Sequence, residues 1–148
     1  MGAVTGLTSF FIDKIIEYLK LMKKDFEVKP EGIKVKEKSE DGEEFEVVIL
    51  PTEKWVRIMT KLDVLDEIPE EHRNKLLEEL MKANSDYPEI SFGIDEEGII
   101  VSVEDQYVYA LYFDVFEEEY TAVVASVDIY KKIKESLLAK KKKQVEAV

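Results

Sequence analysis

The chain has 148 residues, 45% hydrophobic and 36% charged, which fits one globular domain able to bury roughly 70% of the surface that an unfolded chain of this size exposes. It contains no cysteine, which excludes a disulfide framework and any thiolate metal or redox site. A net charge of -12, from 33 acidic and 21 basic residues, opposes approach to nucleic acid, and no apolar run reaches the roughly 20 residues that span a bilayer.

The first residues lack the cationic start and long apolar stretch of a secretory signal, and Gly6 stands where an acylation signal needs Ser or Thr. A soluble, cytoplasmic protein is expected. Asn occurs only at Asn74 and Asn84 and Gln only at Gln106 and Gln144, against abundant Lys and Glu, a balance typical of heat-adapted chains.

Residues 9–26 space Phe11, Ile15, Leu19, Met22 and Phe26 three or four apart, with Ile12 and Ile16 widening the stripe, and predict an amphipathic helix. Ser9 is its expected N-cap, Lys23 and Lys24 suit its negative end, and Pro30 and Gly32 stop it. In residues 33–50, Asp41-Gly42 offers the positive backbone angles of a tight primed turn, and Phe45, Val47 and Ile49 alternate toward one face. Pro51 ends that run, and Val56, Ile58 and Leu62 continue the period of two, which predicts a three-stranded antiparallel meander.

Pro69, Glu70 and Glu71 open a second helix whose apolar side carries Leu76, Leu77, Leu80 and Met81. Asn84 suits the left-handed residue that closes helices, and Pro88 prevents resumption. Phe92 and Ile94, then Ile99, Val101 and Val103, form a β-hairpin about the DEEG turn, and residues 107–113 read as a further strand. Asp114 with Glu117 resembles a capping box opening a long C-terminal helix with Phe116, Tyr120, Val124, Val127, Tyr130 and Leu137 on one side. From about residue 140 it is expected to fray into a mobile lysine-rich tail. No repeat or linker interrupts the chain, so a single domain over 1–148 is expected.

The order helix, meander, helix, hairpin, helix, together with LLEELMKAN at 76–84, SFGID at 91–95 and EGIIVSV at 97–103, resembles the type III secretion chaperone-like superfamily and, within it, the YbjN-like proteins. The resemblance implies an α+β sandwich with helices on an antiparallel sheet, a homodimer, and action by holding a partner polypeptide rather than by catalysis.

The residues themselves point away from chemistry. His72, the sole imidazole, lies in a charged first helical turn without partners at metal-binding spacing. Asp95, Glu96 and Glu97 lack the alternating ligands of a calcium loop and read as a turn. Gly93 and Gly98 do not form a phosphate loop, Ser102 and Ser126 have no nucleophile context, and adjacent carboxylates such as Glu78 and Glu79 sit on solvated faces. No catalytic residue, cofactor or metal is assigned.

The second sheet face is the candidate site. If Val56, Ile58 and Leu62 face the helices, strand parity sends Trp55 and Met59 the other way, and the neighbouring strand adds Val48 and Leu50. The second helix, a second subunit or a bound peptide could cover this apolar surface. A non-enzymatic protein-binding module with Val48, Leu50, Trp55 and Met59 as its partner or dimer face is the leading expectation. The alternative is a small-molecule sensor with a pocket among Tyr107, Tyr109 and Tyr120.

Overall fold

The computed structural model describes residues 6–146, with side chains from 9 to 139. Its elements are α1 (Gly6–Leu21), β1 (Asp25–Lys29), β2 (Gly32–Lys38), β3 (Glu44–Pro51), β4 (Trp55–Val64), α2 (Glu70–Asp86), β5 (Phe92–Ile94), β6 (Ile99–Tyr107) and α3 (Phe113–Glu146), with 3₁₀ turns at Leu65–Glu67 and Val108–Ala110. The strands form one antiparallel sheet in the order β1-β2-β3-β4-β6-β5. The expected α+β architecture is the observed one. No helix of the described residues is long and apolar enough to cross a membrane.

All three helices pack on one face of this sheet. Ile33, Val35, Val47, Ile49, Val56 and Ile58 meet Phe11, Ile15 and Leu19 of α1 and Phe116, Tyr120 and Val123 of α3 in a first apolar cluster. A second joins Leu76, Leu80 and Ala83 of α2 to Phe92, Ile100 and Tyr130, with Ile129, Ile133 and Leu137 of α3 against it. The first helix and the terminal helix thus bury the stripes that their periodicity predicts.

Several boundaries differ from the sequence expectation. The first helix starts before Ser9, which therefore lies inside it, and ends at Leu21. Lys23 adopts φ 58, and the amides of Met22 and Lys24 return to the carbonyls of Tyr18 and Leu19, a left-handed closure without glycine. Residues 25–29 then form a strand, so Phe26 reaches the first cluster from β1 rather than from the helix.

At the next turn only Gly42 has positive φ, and Ser39 pairs with Glu43 across three loop residues. This is the longer turn with one left-handed glycine, not the two-residue primed form. Helix α2 continues past Asn84 to Asp86, and Met81 is 72% exposed, outside the buried row of Leu76, Leu80 and Ala83. Residues 107–113 are not a strand: Tyr107 closes β6, a 3₁₀ turn follows, and Phe113 already begins α3. Asp114 consequently lies within the first turn of α3, where it complements the helix dipole. The lysines from 140 lie on the backbone of α3, and their side chains fall outside the described residues.

The DEEG turn reverses the chain as expected. One Asp95 carboxylate oxygen accepts from the amides of Glu97 and Ile99 at 2.9 and 3.0 Å, and Gly98 has φ 79.

Candidate functional site

The helices leave the opposite sheet face uncovered by any described element. Side chains alternate across a strand, so pairing of Val47, Ile49, Val56 and Ile58 into the first cluster turns Val48, Leu50, Arg57 and Met59 outward. Register then aligns them: Val48 lies opposite Met59 and Met59 opposite Val103, while Leu50 lies opposite Arg57 and Arg57 opposite Asp105. Val48, Leu50, Met59 and Val103 are half-buried by one another. Helix α2, the internal cover that the sequence left open, packs instead on α3 and the inner side of the β5–β6 hairpin.

A polar pair crosses this surface. Arg57 Nε and Nη2 donate to Asp105 Oδ1 and Oδ2 at 2.8 and 2.9 Å, a two-pronged ion pair that raises the guanidinium pKa. Beside it opens a groove of about 400 Å³ lined by Leu50, Thr52, Trp55, Arg57 and Asp105. The β3–β4 turn aims the indole into it: the Thr52 hydroxyl donates to the Trp55 carbonyl at 2.7 Å and accepts from the Trp55 amide at 2.9 Å. Trp55 remains 44% exposed.

The three tyrosines of the alternative reading are not brought together. Tyr120 is buried in the inner layer against Phe116, whereas Tyr107 and Tyr109 are 40% and 63% exposed at the end of the sheet. There they join Trp55 in a file of rings. Trp55 lies 5.6 Å from Tyr107, Tyr107 5.3 Å from Tyr109, Tyr109 6.2 Å from Phe11, and Phe11 5.5 Å from Phe10. Val103, Tyr107 and Phe10 are additions that sequence parity alone did not supply, because it does not reveal that β6 neighbours β4 or that α1 begins beside the 3₁₀ turn.

The ionisable groups occupy other places. Glu104 on β6 and Glu119 on α3 each bury one carboxylate oxygen without a hydrogen bond. Burial pushes both up to about 7, reinforced for Glu104 by Glu89 and Asp105 and for Glu119 by Glu104, Glu89, Asp105 and Glu118, with a hydrogen bond from Ser91 opposing at Glu104. At the far end of α3, Lys131 holds Asp41 and Glu43 of the β2–β3 turn at 3.0 and 2.6 Å, and Lys134 holds Asp63 at 2.7 Å. These pairs line a second cavity of about 340 Å³ and fasten α3 to the sheet. Ser39 and the Glu43 amide, then Lys131, hold the Asp41 carboxyl well below the usual range. His72 lies on α2, in the layer away from the apolar face. Among the described residues no group of three or more His, Asp or Glu could hold a metal ion.

No protein-family model and no curated protein matches the chain. Solved structures do. A chain of the HopA1–SchA chaperone–effector complex superposes with TM-score 0.62 at 10% identity, covering 86% of this chain and 98% of that one. A chain of the heterodimeric ExoU–SpcU complex from the type III secretion system of Pseudomonas aeruginosa gives 0.58 at 12%, covering 79% and 94%. One of the ExsC–ExsE complex gives 0.59 at 14%, covering 86% and 96%. At such identities the likeness is one of fold, and the fold is secretion chaperone-like.

Proposed function

We propose that this chain is a non-enzymatic protein-binding module, chaperone-like in action as well as in fold, which holds a segment of another polypeptide on its outer sheet face. The observation that carries the reading is the aligned Val48–Met59–Val103 row, with Leu50 and Trp55 beside it, on the side of the sheet away from all three helices. A surface of this kind marks an interaction site more often than a solvent face. The structural neighbours support it, since they come from complexes of two different proteins, one of them named as chaperone with effector. A kinship with YbjN-like proteins, a cytoplasmic location, a single domain over the whole chain and pairing of two copies belong to the same proposal.

The test places a photocrosslinking amino acid at Met59 and irradiates the protein in an extract of its own cells. The reading expects a discrete protein adduct that disappears when Trp55 is replaced by Ala. Light scattering tests the pairing, with twice the 17.1 kDa chain mass expected. A monomer that yields no adduct removes the proposal.

A further inference from the structure

We propose that the aromatic file Trp55–Tyr107–Tyr109–Phe11–Phe10 is a docking rail for an extended, proline-containing segment with cationic flanks. The inference rests on the protein-binding reading above and specifies the chemistry of the partner. Four of the five rings are exposed, and Phe11, at 5%, roots the file in the first apolar cluster. The file leads from the groove at Trp55 around the end of the sheet to α1, so its ends belong to the two layers of the fold.

Three features select the occupant. The first is backbone supply. Trp55 begins β4, which β3 and β6 flank, while Tyr107 ends β6 beyond the reach of β5, whose register meets β6 only at Ile100, Val101 and Ser102. Only the short β6 edge at residues 104–107 is open here to a further strand, so along the rest of the file, over Trp55, Tyr109 and α1, a partner is read through side chains. The second is hydrogen bonding. Among the described residues the Trp55 indole nitrogen and the Tyr107 and Tyr109 hydroxyls donate to no protein atom. A helix turns its carbonyls onto its own amides and offers these donors little, whereas a polyproline II segment keeps its carbonyls free and its prolines bring no amide hydrogen to satisfy. The rings also meet at steep angles, 59° at Trp55–Tyr107 and 61° at Tyr107–Tyr109, which leaves notches between them rather than a flat stack. Exposed aromatic notches with free donors are the features by which proline-rich segments are bound.

The third is charge. A chain of net charge -12 draws cationic segments toward it. Ring faces on the rail accept ammonium groups, as Lys14 shows by lying 5.6 Å from the centre of the Phe10 ring.

Trp55 is the only tryptophan, so its emission reports on the rail alone. The experiment titrates the full chain with a synthetic peptide of four Ala-Pro repeats between Lys-Lys ends, and with the same peptide carrying Ala at every Pro. Saturable change in Trp55 emission is expected with the first, weakened about tenfold with the second and about tenfold in Tyr107→Ala and Tyr109→Ala proteins that retain native circular dichroism. Tyr107→Phe and Tyr109→Phe, which keep the ring and lose only the hydroxyl, are expected to bind a few-fold more weakly. Equal response to both peptides reduces the effect to charge and overturns the proposal, as does no response to either. An emission change that follows protein concentration and a doubling of mass assigns the rail to a second copy and also overturns it. Capture of a client through Met59 without any response to the proline peptide sinks this inference and leaves the broader reading intact.

Discussion

Asn84 on α2 binds Phe92 on β5 as an adjoining strand would: the Phe92 amide donates to Asn84 Oδ1 at 2.8 Å, and Asn84 Nδ2 donates to the Phe92 carbonyl at 3.1 Å. β5 is an edge strand of three residues, and this side chain satisfies both groups that its outer edge exposes there. Asn84→Ala is expected to lower stability by about 1–3 kcal/mol in urea denaturation. Asn84→Asp should cost at least as much, because a carboxylate cannot donate to the carbonyl.

Glu104 and Glu119 make stability depend on pH near neutrality. Their carboxyls are raised from 4.5 to about 7, so the folded state binds protons that the unfolded state releases. Their contribution is complete below the unfolded value and is lost as pH rises through about 7. Asp41, with its carboxyl held low, titrates outside this window. The thermal midpoint is expected to fall between about pH 5 and about pH 8 at constant ionic strength, and the Glu104→Gln, Glu119→Gln double variant should flatten that slope. An unchanged slope in the double variant would show that other groups govern it.

Gly32 sets how closely Leu50 can lie on the outer face. At φ +147, a methyl group built on Gly32 would stand 2.7 Å from Leu50 Cδ2 and 2.8 Å from the Ile49 carbonyl oxygen. Gly32→Ala is expected to cost about 1–3 kcal/mol, measured by calorimetry, and to disturb the groove beside Trp55 as well as the β1–β2 turn.

The two sheet faces should respond oppositely to charge. Met59→Glu, on the half-buried outer face, is expected to change stability by less than about 1 kcal/mol while abolishing the photocrosslinked adduct formed from Val48. Val47→Glu, fully buried between sheet and helices, should cost about 4 kcal/mol or more. Comparable losses in both would contradict an open outer face.

Periodicity revealed what depends on side-chain spacing and concealed what depends on a single backbone angle. The inner stripes of α1 and α3 and the outward turn of Val48, Leu50, Trp55 and Met59 follow from intervals in the sequence, and the structure repeats them. Strand β1 stayed hidden because Phe26 continues the helical interval from Met22, while Lys23, which carries no side-chain signal for a left-handed turn, makes the break. Asn84 misled in the opposite direction: a residue that often closes helices here sits inside one, held by its contact with a distant strand. Residues 107–113 read as a strand and are not one, because aromatic side chains suit a strand and a helix start equally well. The rail needed tertiary knowledge, since it joins rings from positions 10 and 11 to rings from 55, 107 and 109.

Helix α3 contributes Phe116, Tyr120 and Val123 to one apolar cluster and Tyr130, with Ile129, Ile133 and Leu137, to the other. Neither half of the molecule can therefore melt while the other stays folded, for the same rod is a wall of both. Heating should give one calorimetric transition whose van't Hoff and measured enthalpies agree, and a protease cut midway along that rod would unseat the two halves together.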